Sequence, residues 1–136
     1  MKVLFDTNVI LDFFMKRQPF NENAKILFDA IANDKIEAFV SATSVKDIYS
    51  LMSVKTKDKE GALEAVKELL KIMTICDVNK RTLEKAIELG YKDFEDAIQV
   101  AAAAPVDLQL IVTRNLKDFK NSPIPAVTPE ILIAQI

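Results

Sequence analysis

Strand signals alternate with helix signals along this chain, which predicts a single-domain α/β fold: a parallel β-sheet of about five strands, flanked by helices on both faces. Two observations carry that expectation. Short apolar runs such as Lys2–Phe5 and Leu108–Thr113 are bounded by polar turn residues and separated by stretches with apolar residues at helical spacing. The 136 residues are enough for a sizeable core, and no repeat, low-complexity segment or second domain is visible in them.

The first strand, Lys2–Phe5, stops at Asp6-Thr7-Asn8, where Thr and Asn ahead of the periodic residues Val9–Met15 signal a helix start. Asn8 is the expected cap of that helix. Asp6 then falls at the carboxyl end of a strand, where open α/β sheets place their ligands. Lys16–Pro19 is a loop, and Phe20–Asn33 is a helix with a stripe of Ala24, Leu27, Phe28 and Ile31. Ile36–Val40 is the second strand. Ser41–Ser44 restarts a helix with Val45, Ile48, Tyr49 and Met52 on one face, and the charge run Lys55–Glu60 is a solvated connection or helix start. Ala62–Lys71 is helical with Leu63, Val66 and Leu70 expected inward, and Met73–Val78 is a third strand. A helix over Thr82–Leu89 is stopped by Gly90, and another over Phe94–Ala104 by Pro105. Leu108–Thr113 is the fourth and most continuous strand. Asn115–Phe119 is a turn or single helical turn, Ala126–Val127 a short edge strand, and Pro129–Ile136 a closing helix with Pro in its first turn.

Composition narrows the chemistry. Half of the residues are hydrophobic and 28% are charged, as in soluble globular chains. No apolar run approaches the roughly 18 residues of a membrane helix, and no signal peptide is visible. The single cysteine, Cys76, leaves no disulfide framework and fits a cytoplasmic location. With no histidine, Ser-His-Asp and Cys-His catalysis and a His/Cys zinc site are excluded. The two glycines, Gly61 and Gly90, form no phosphate loop. An enzyme of this composition has to work with carboxylates, whose natural partners are hard cations such as Mg²⁺ or Mn²⁺. A net charge of −2 argues against broad electrostatic binding of nucleic acid, though not against a local basic rim.

The acids that could form such a site follow strand ends. Asp6 follows the first strand, Asp47 opens the helix after the second, and Asn115 and Asp118 follow the fourth; Asp93, Glu95 and Asp96 open the helix DFEDAIQVAAAA. Each has a plain alternative: Asp6 as an acceptor for the following turn, Asp47 in a capping box with Ser44, Asp93 as a helix N-cap, Asp118 as a turn cap. Asp96 is harder to dismiss, because apolar positions at Ala97, Val100, Ala101 and Ala104 flank it. Two carboxylates 4 Å apart repel by about 4 kcal/mol at an effective dielectric of about 20. A cluster of them calls for protons or a divalent cation, and such a cation activates water.

DTN near the start, Ser41–Asp47 at the second strand's end, DFEDAIQVAAAA and IVTRNLKDF come in an order that resembles a PIN domain, and more narrowly the small prokaryotic PIN proteins that act as toxins of VapC type. The resemblance covers almost the whole chain. It implies cleavage of RNA dependent on Mg²⁺ or Mn²⁺, homodimerisation, and neutralisation by a small antitoxin. Carried over, Asp6 and Asp96 match the family's first acid and helix acid. Asp47 stands where Glu is usual and reaches one methylene less far; with Asp6 and Asp96 it makes up the implied catalytic, metal-holding set. Asn115 stands where many members have Asp, a place Asp93 or Asp118 could fill as further ligands. Thr7, Asn8 and Thr113 match polar positions that orient ligands or substrate. Lys46, Arg114 and Lys117, next to these acids, are candidates for steering the RNA backbone. The alternative is a PIN-like binding module with weakened catalysis, motivated by Asp47 and Asn115. A phosphotransferase of the haloacid-dehalogenase type needs D-x-D, and position 8 is Asn.

Overall fold

A computed structural model describes all residues, Met1–Ile136. Five strands, β1 (Lys2–Phe5), β2 (Glu37–Ser41), β3 (Thr74–Cys76), β4 (Leu110–Val112) and β5 (Ala126–Val127), form one sheet in the order β3-β2-β1-β4-β5. Every pairing is parallel. The helices are α1 (Thr7–Phe14), α2 (Asn21–Ala32), α3 (Ala42–Thr56), α4 (Lys59–Ile72), α5 (Lys80–Leu89), α6 (Phe94–Ala103) and α7 (Pro129–Ala134), with a short 3₁₀ turn over Leu116–Phe119.

Both faces of the sheet are covered, and the strands show it residue by residue. Val3 and Phe5 of β1, Ala38 and Val40 of β2 and Val112 of β4 enter one core, with residues of α1, α2, α3, α4 and α7. The alternate residues Leu4, Phe39 and Ile111 enter a second core with Val100, Ala102 and Ala103 of α6. Strands buried on both sides read as continuous apolar runs rather than alternating ones. Phe5, Phe13, Phe14 and Phe28 pack together in the first core, with Phe13 stacked on Phe28 at 3.9 Å.

Local signals account for most element ends. Ser41 caps α3, Asp58 caps α4, and Asn79 and Thr82 form a capping box on α5. Gly90 closes α5 at φ 68°, a backbone that L side chains resist. Asp93 caps α6, accepting from the N–H groups of Glu95 and Asp96. The run Lys55–Glu60 spans the α3–α4 connection, where Lys57 turns left-handed.

Four expectations are corrected. The cap of α1 is Asp6, not Asn8, which lies inside the helix; Asp6 Oδ1 accepts from the Thr7 N–H. Asp47 makes no capping box with Ser44, because the N-cap is Ser41, three residues before Ser44. In α4 the buried residues are Ala62, Ala65 and Leu69, whereas Leu63 and Leu70 are 48% and 54% exposed and Val66 is half-buried. Two stripes at helical spacing interleave in that helix, and the one with two alanines allows close approach to α3. Finally, the ladder of β4 holds only three residues, and β2, with five, is the longest strand.

Candidate active site

β1 sits in the middle of the sheet, with β2 and β3 to one side and β4 and β5 to the other. In such sheets the crevice for a ligand lies outside the carboxyl ends of the strands, where the order reverses. Asp6 leaves β1 at that place and its N–H donates to Val112 O of β4 at 3.1 Å. An open cleft of about 500 Å³ lies there, lined by Asp6, Asp47, Asp93, Glu95, Asp96 and Asp118. Thr7, Asn8, Ser50, Gln99 and Asn115 complete its polar wall.

Asp6, 5% exposed, is held by three donors. Oδ1 accepts from Thr7 N at 2.8 Å and from Gln99 Nε2 at 3.1 Å; Oδ2 accepts from Thr113 Oγ1 at 2.7 Å. Thr113 is fully buried behind it, and its hydroxyl also accepts from the Asn115 N–H at 3.0 Å. A hydroxyl chain ties the ends of β1 and β2 together: Thr7 Oγ1 donates to Ser44 Oγ at 3.0 Å, as does Ser41 Oγ at 2.9 Å.

Asp96 is 8% exposed in the first turn of α6, whose residues from Asp96 to Ala103 are all buried. Burial, then the charges of Asp93, Asp6, Asp118 and Glu95, push its carboxyl up to about 7. Glu95 is also raised, first by Asp47, then by burial and Asp93, with Lys46 opposing. Lys46 pairs with Asp47 at 3.2 Å.

Of the sequence candidates, Asp6, Thr7, Asn8, Asp47, Asp93, Asp96, Asn115 and Asp118 border one cleft. Arg114 does not. Its guanidinium binds the buried Asp12, Nε to Oδ2 at 2.8 Å and Nη2 to Oδ1 at 3.3 Å, and lies 3.9 Å from the centre of the Phe20 ring. Lys117 carries no ion pair; with Lys92 and Lys120 it lines an adjoining cleft that shares Asp93, Asp96 and Asp118 with the first. Gln99 and Asp12 are not expected from sequence, and Glu95 only as a first-turn acid of α6. Gln99 and Asp12 carried one signal, a lone polar residue in an apolar helical run, AIQVAAA and VILDFF.

The donor set suits a hard cation: carboxylates and amides, with no histidine and no cysteine in the cleft. Two observations fit a positive charge there. Burial and a crowd of like charges raise the Asp96 carboxyl, and Gln99 Oε1 is a buried acceptor with no donor. The side chains themselves are splayed, and no three acids stand together closely enough to hold a metal ion.

Known proteins share this arrangement of elements. A family model described as the PIN domain matches residues 2–117. The chain is 31% identical over 134 residues to Ribonuclease VapC1 of Aquifex aeolicus (strain VF5), covering 95% of this chain and 91% of that protein. It is similar in structure to a chain of a toxin–antitoxin complex from Klebsiella pneumoniae, with a TM-score of 0.68 and 26% identity over 93% of this chain and 97% of that one. It shares its fold with a chain of VapBC-1 from nontypeable Haemophilus influenzae, at a TM-score of 0.71 and 15% identity over 96% of this chain and 99% of that one.

Proposed function

The chain belongs to the PIN-domain family, and on that premise we propose that it is an endoribonuclease dependent on Mg²⁺ or Mn²⁺, acting as the toxin of a toxin–antitoxin pair. The observation that carries the reading is the crowding at Asp96, which four other acids and burial drive toward protonation. In its place a divalent cation would relieve the same repulsion. Asp6 and Asp96 would hold it, with Asp47, Asp93 or Asp118 as further ligands. The chemistry such a cation supplies is activation of water and an offset of charge on the phosphorus during in-line attack.

The residues of the chain have separate tasks in this scheme. Thr113, Gln99 and the Thr7 N–H fix the Asp6 carboxylate in one orientation. Lys92, Lys117 and Lys120, unpaired beside the carboxylates, bind the RNA backbone next to the scissile phosphate. Arg114, committed to Asp12, has no direct part in steering substrate. The antitoxin and a second copy of the chain are the expected partners. Leu51, Val54, Leu63 and Leu70, exposed on α3 and α4, offer apolar surface for one of them. No helix of the chain is long and apolar enough to cross a membrane.

The test is cleavage of structured RNA by the purified protein with Mg²⁺. Cleavage is expected to stop with EDTA and to be abolished in Asp6→Asn; activity that survives either change overturns the reading. The splayed acids, the short Asp47 and Asn115 favour a second reading, a PIN-fold binding module with weakened catalysis. Binding of Mn²⁺ and RNA with no turnover would select it.

A further inference from the structure

Asp12 of α1 is 1% exposed, and it lies between two arginines that come from different parts of the chain. Arg17 Nε donates to its Oδ1 at 2.9 Å, and Arg114 Nε to its Oδ2 at 2.8 Å. A buried carboxylate is tolerated only where such charged donors satisfy it. The arrangement does more than neutralise a charge. The Nη2 of Arg17 goes on to donate to Asn8 twice, to the backbone oxygen at 3.1 Å and to Oδ1 at 3.1 Å. A guanidinium has donors and no acceptor, so the end of the Asn8 amide that meets Arg17 is its oxygen. The end left for the carboxylate cleft, which Asn8 lines, is therefore the NH₂.

We infer that Asp12 is a positioning residue that acts through Arg17 to hold Asn8 as a hydrogen-bond donor at the cleft, where its NH₂ binds a phosphate oxygen of the substrate. This rests on the nuclease reading for the identity of the ligand, and on the hydrogen bonds alone for the orientation of the amide. Asn8 is then no metal ligand, since the oxygen that would bind a cation is taken by Arg17. Arg114 locks the other side of Asp12 and is itself fixed on the Phe20 ring. The same carboxylate thus ties α1 to the segment that follows Thr113, the donor to Asp6.

The test uses Arg17→Met, whose side chain is only two-thirds buried, alongside Asp12→Asn, which keeps the shape and removes the charge. In the metal-free wild type, side-chain amide NMR is expected to give Asn8 one sharp pair of resonances. In either variant the pair should broaden or double as the amide regains both orientations; a pair that stays single and unshifted in Arg17→Met overturns the proposal. In cleavage assays with Mg²⁺, Arg17→Met is expected to lower kcat about 10- to 100-fold with KM within about threefold. It should add nothing to the loss caused by Asn8→Ala, whereas a purely structural role would give additive losses and overturn the proposal. If the wild type cleaves no RNA, the nuclease reading falls, and the NMR comparison still decides whether Asp12 and Arg17 orient Asn8. If Asp12→Asn does not fold, Arg17→Met alone carries both measurements.

Discussion

Burial and the charges of Asp93, Asp6, Asp118 and Glu95 keep a proton on Asp96 up to about pH 7, where an ordinary aspartic acid has lost it near pH 4. Between those values the folded chain binds a proton that the unfolded chain has released. The stability this group contributes is complete below about pH 4 and is lost as pH rises toward 7. Asp96→Asn is therefore expected to raise the melting temperature of the metal-free protein by several degrees at pH 8 and to leave it nearly unchanged at pH 4. Added Mg²⁺ or Mn²⁺ should stabilise the wild type and not the variant, and RNA cleavage should be lost. Calorimetric scans at the two pH values check the sign. The burial of this residue was legible from the apolar positions flanking it, and Asp93 as the cap of α6 was legible from its place before the helix. Asp12 was not. An acid inside VILDFF does not reveal that its partner is Arg114, 102 residues away, nor that Arg114 is thereby committed to an ion pair.

In α4, packing rather than side-chain size decides which face is inward. The sequence KEGALEAVKELLKI contains two stripes of equal periodicity, and the larger residues Leu63, Val66 and Leu70 suggest the wrong one. Helices approach more closely over small residues, and it is Ala62, Ala65 and Leu69 that are buried in the first core, with Ile48 and Met52 of α3. Leu69→Ala should cost roughly 2–5 kcal/mol by leaving a cavity. Leu70→Ala, on the exposed stripe, should cost about 0.5 kcal/mol or less. Urea unfolding of the two variants distinguishes the faces, and equal losses would contradict the helix orientation. The caps follow the same logic of local against distant information. Ser41, Asp58 and Asn79 cap their helices through bonds no more than three residues long, yet the capping reading falls on Ser44 and the expected starts of α4 and α5 lie two to three residues late. The role of Asp6 as the cap of α1 was obscured because Thr7 and Asn8, equally good caps, come directly after it.

Across the whole molecule, the alternation of strands and helices was enough to read a parallel sheet covered on two faces, because the three central strands are buried on both sides. The order of the strands was not readable from pattern, and it is the order that places β1 beside β4 and brings Asp6 against Thr113. The charge distribution follows the same geography. The chain carries a net −2, yet Lys92, Lys117 and Lys120 stand together, unpaired, in the cleft beside the acids. Replacing all three with alanine is expected to weaken RNA binding at low salt. The slope of log affinity against log salt should become shallower by about 0.7 for each phosphate that is no longer neutralised. Fluorescence anisotropy over a salt series measures it, and an unchanged slope would place the backbone elsewhere.

Asp6 leaves the ribosome 93 residues ahead of Gln99 and 107 ahead of Thr113, the two side chains that hold its oxygens. The central strand that carries it has no β4 neighbour until Leu110–Val112 has been translated. A nascent chain that has paired β1 with β2 therefore still lacks the side chains that hold the Asp6 carboxylate. Were the chain the nuclease proposed above, synthesis itself would act as a timer: the growing polypeptide could not cut RNA, the material of its own message and ribosome, until the codons for β4 and the threonine behind it had been read.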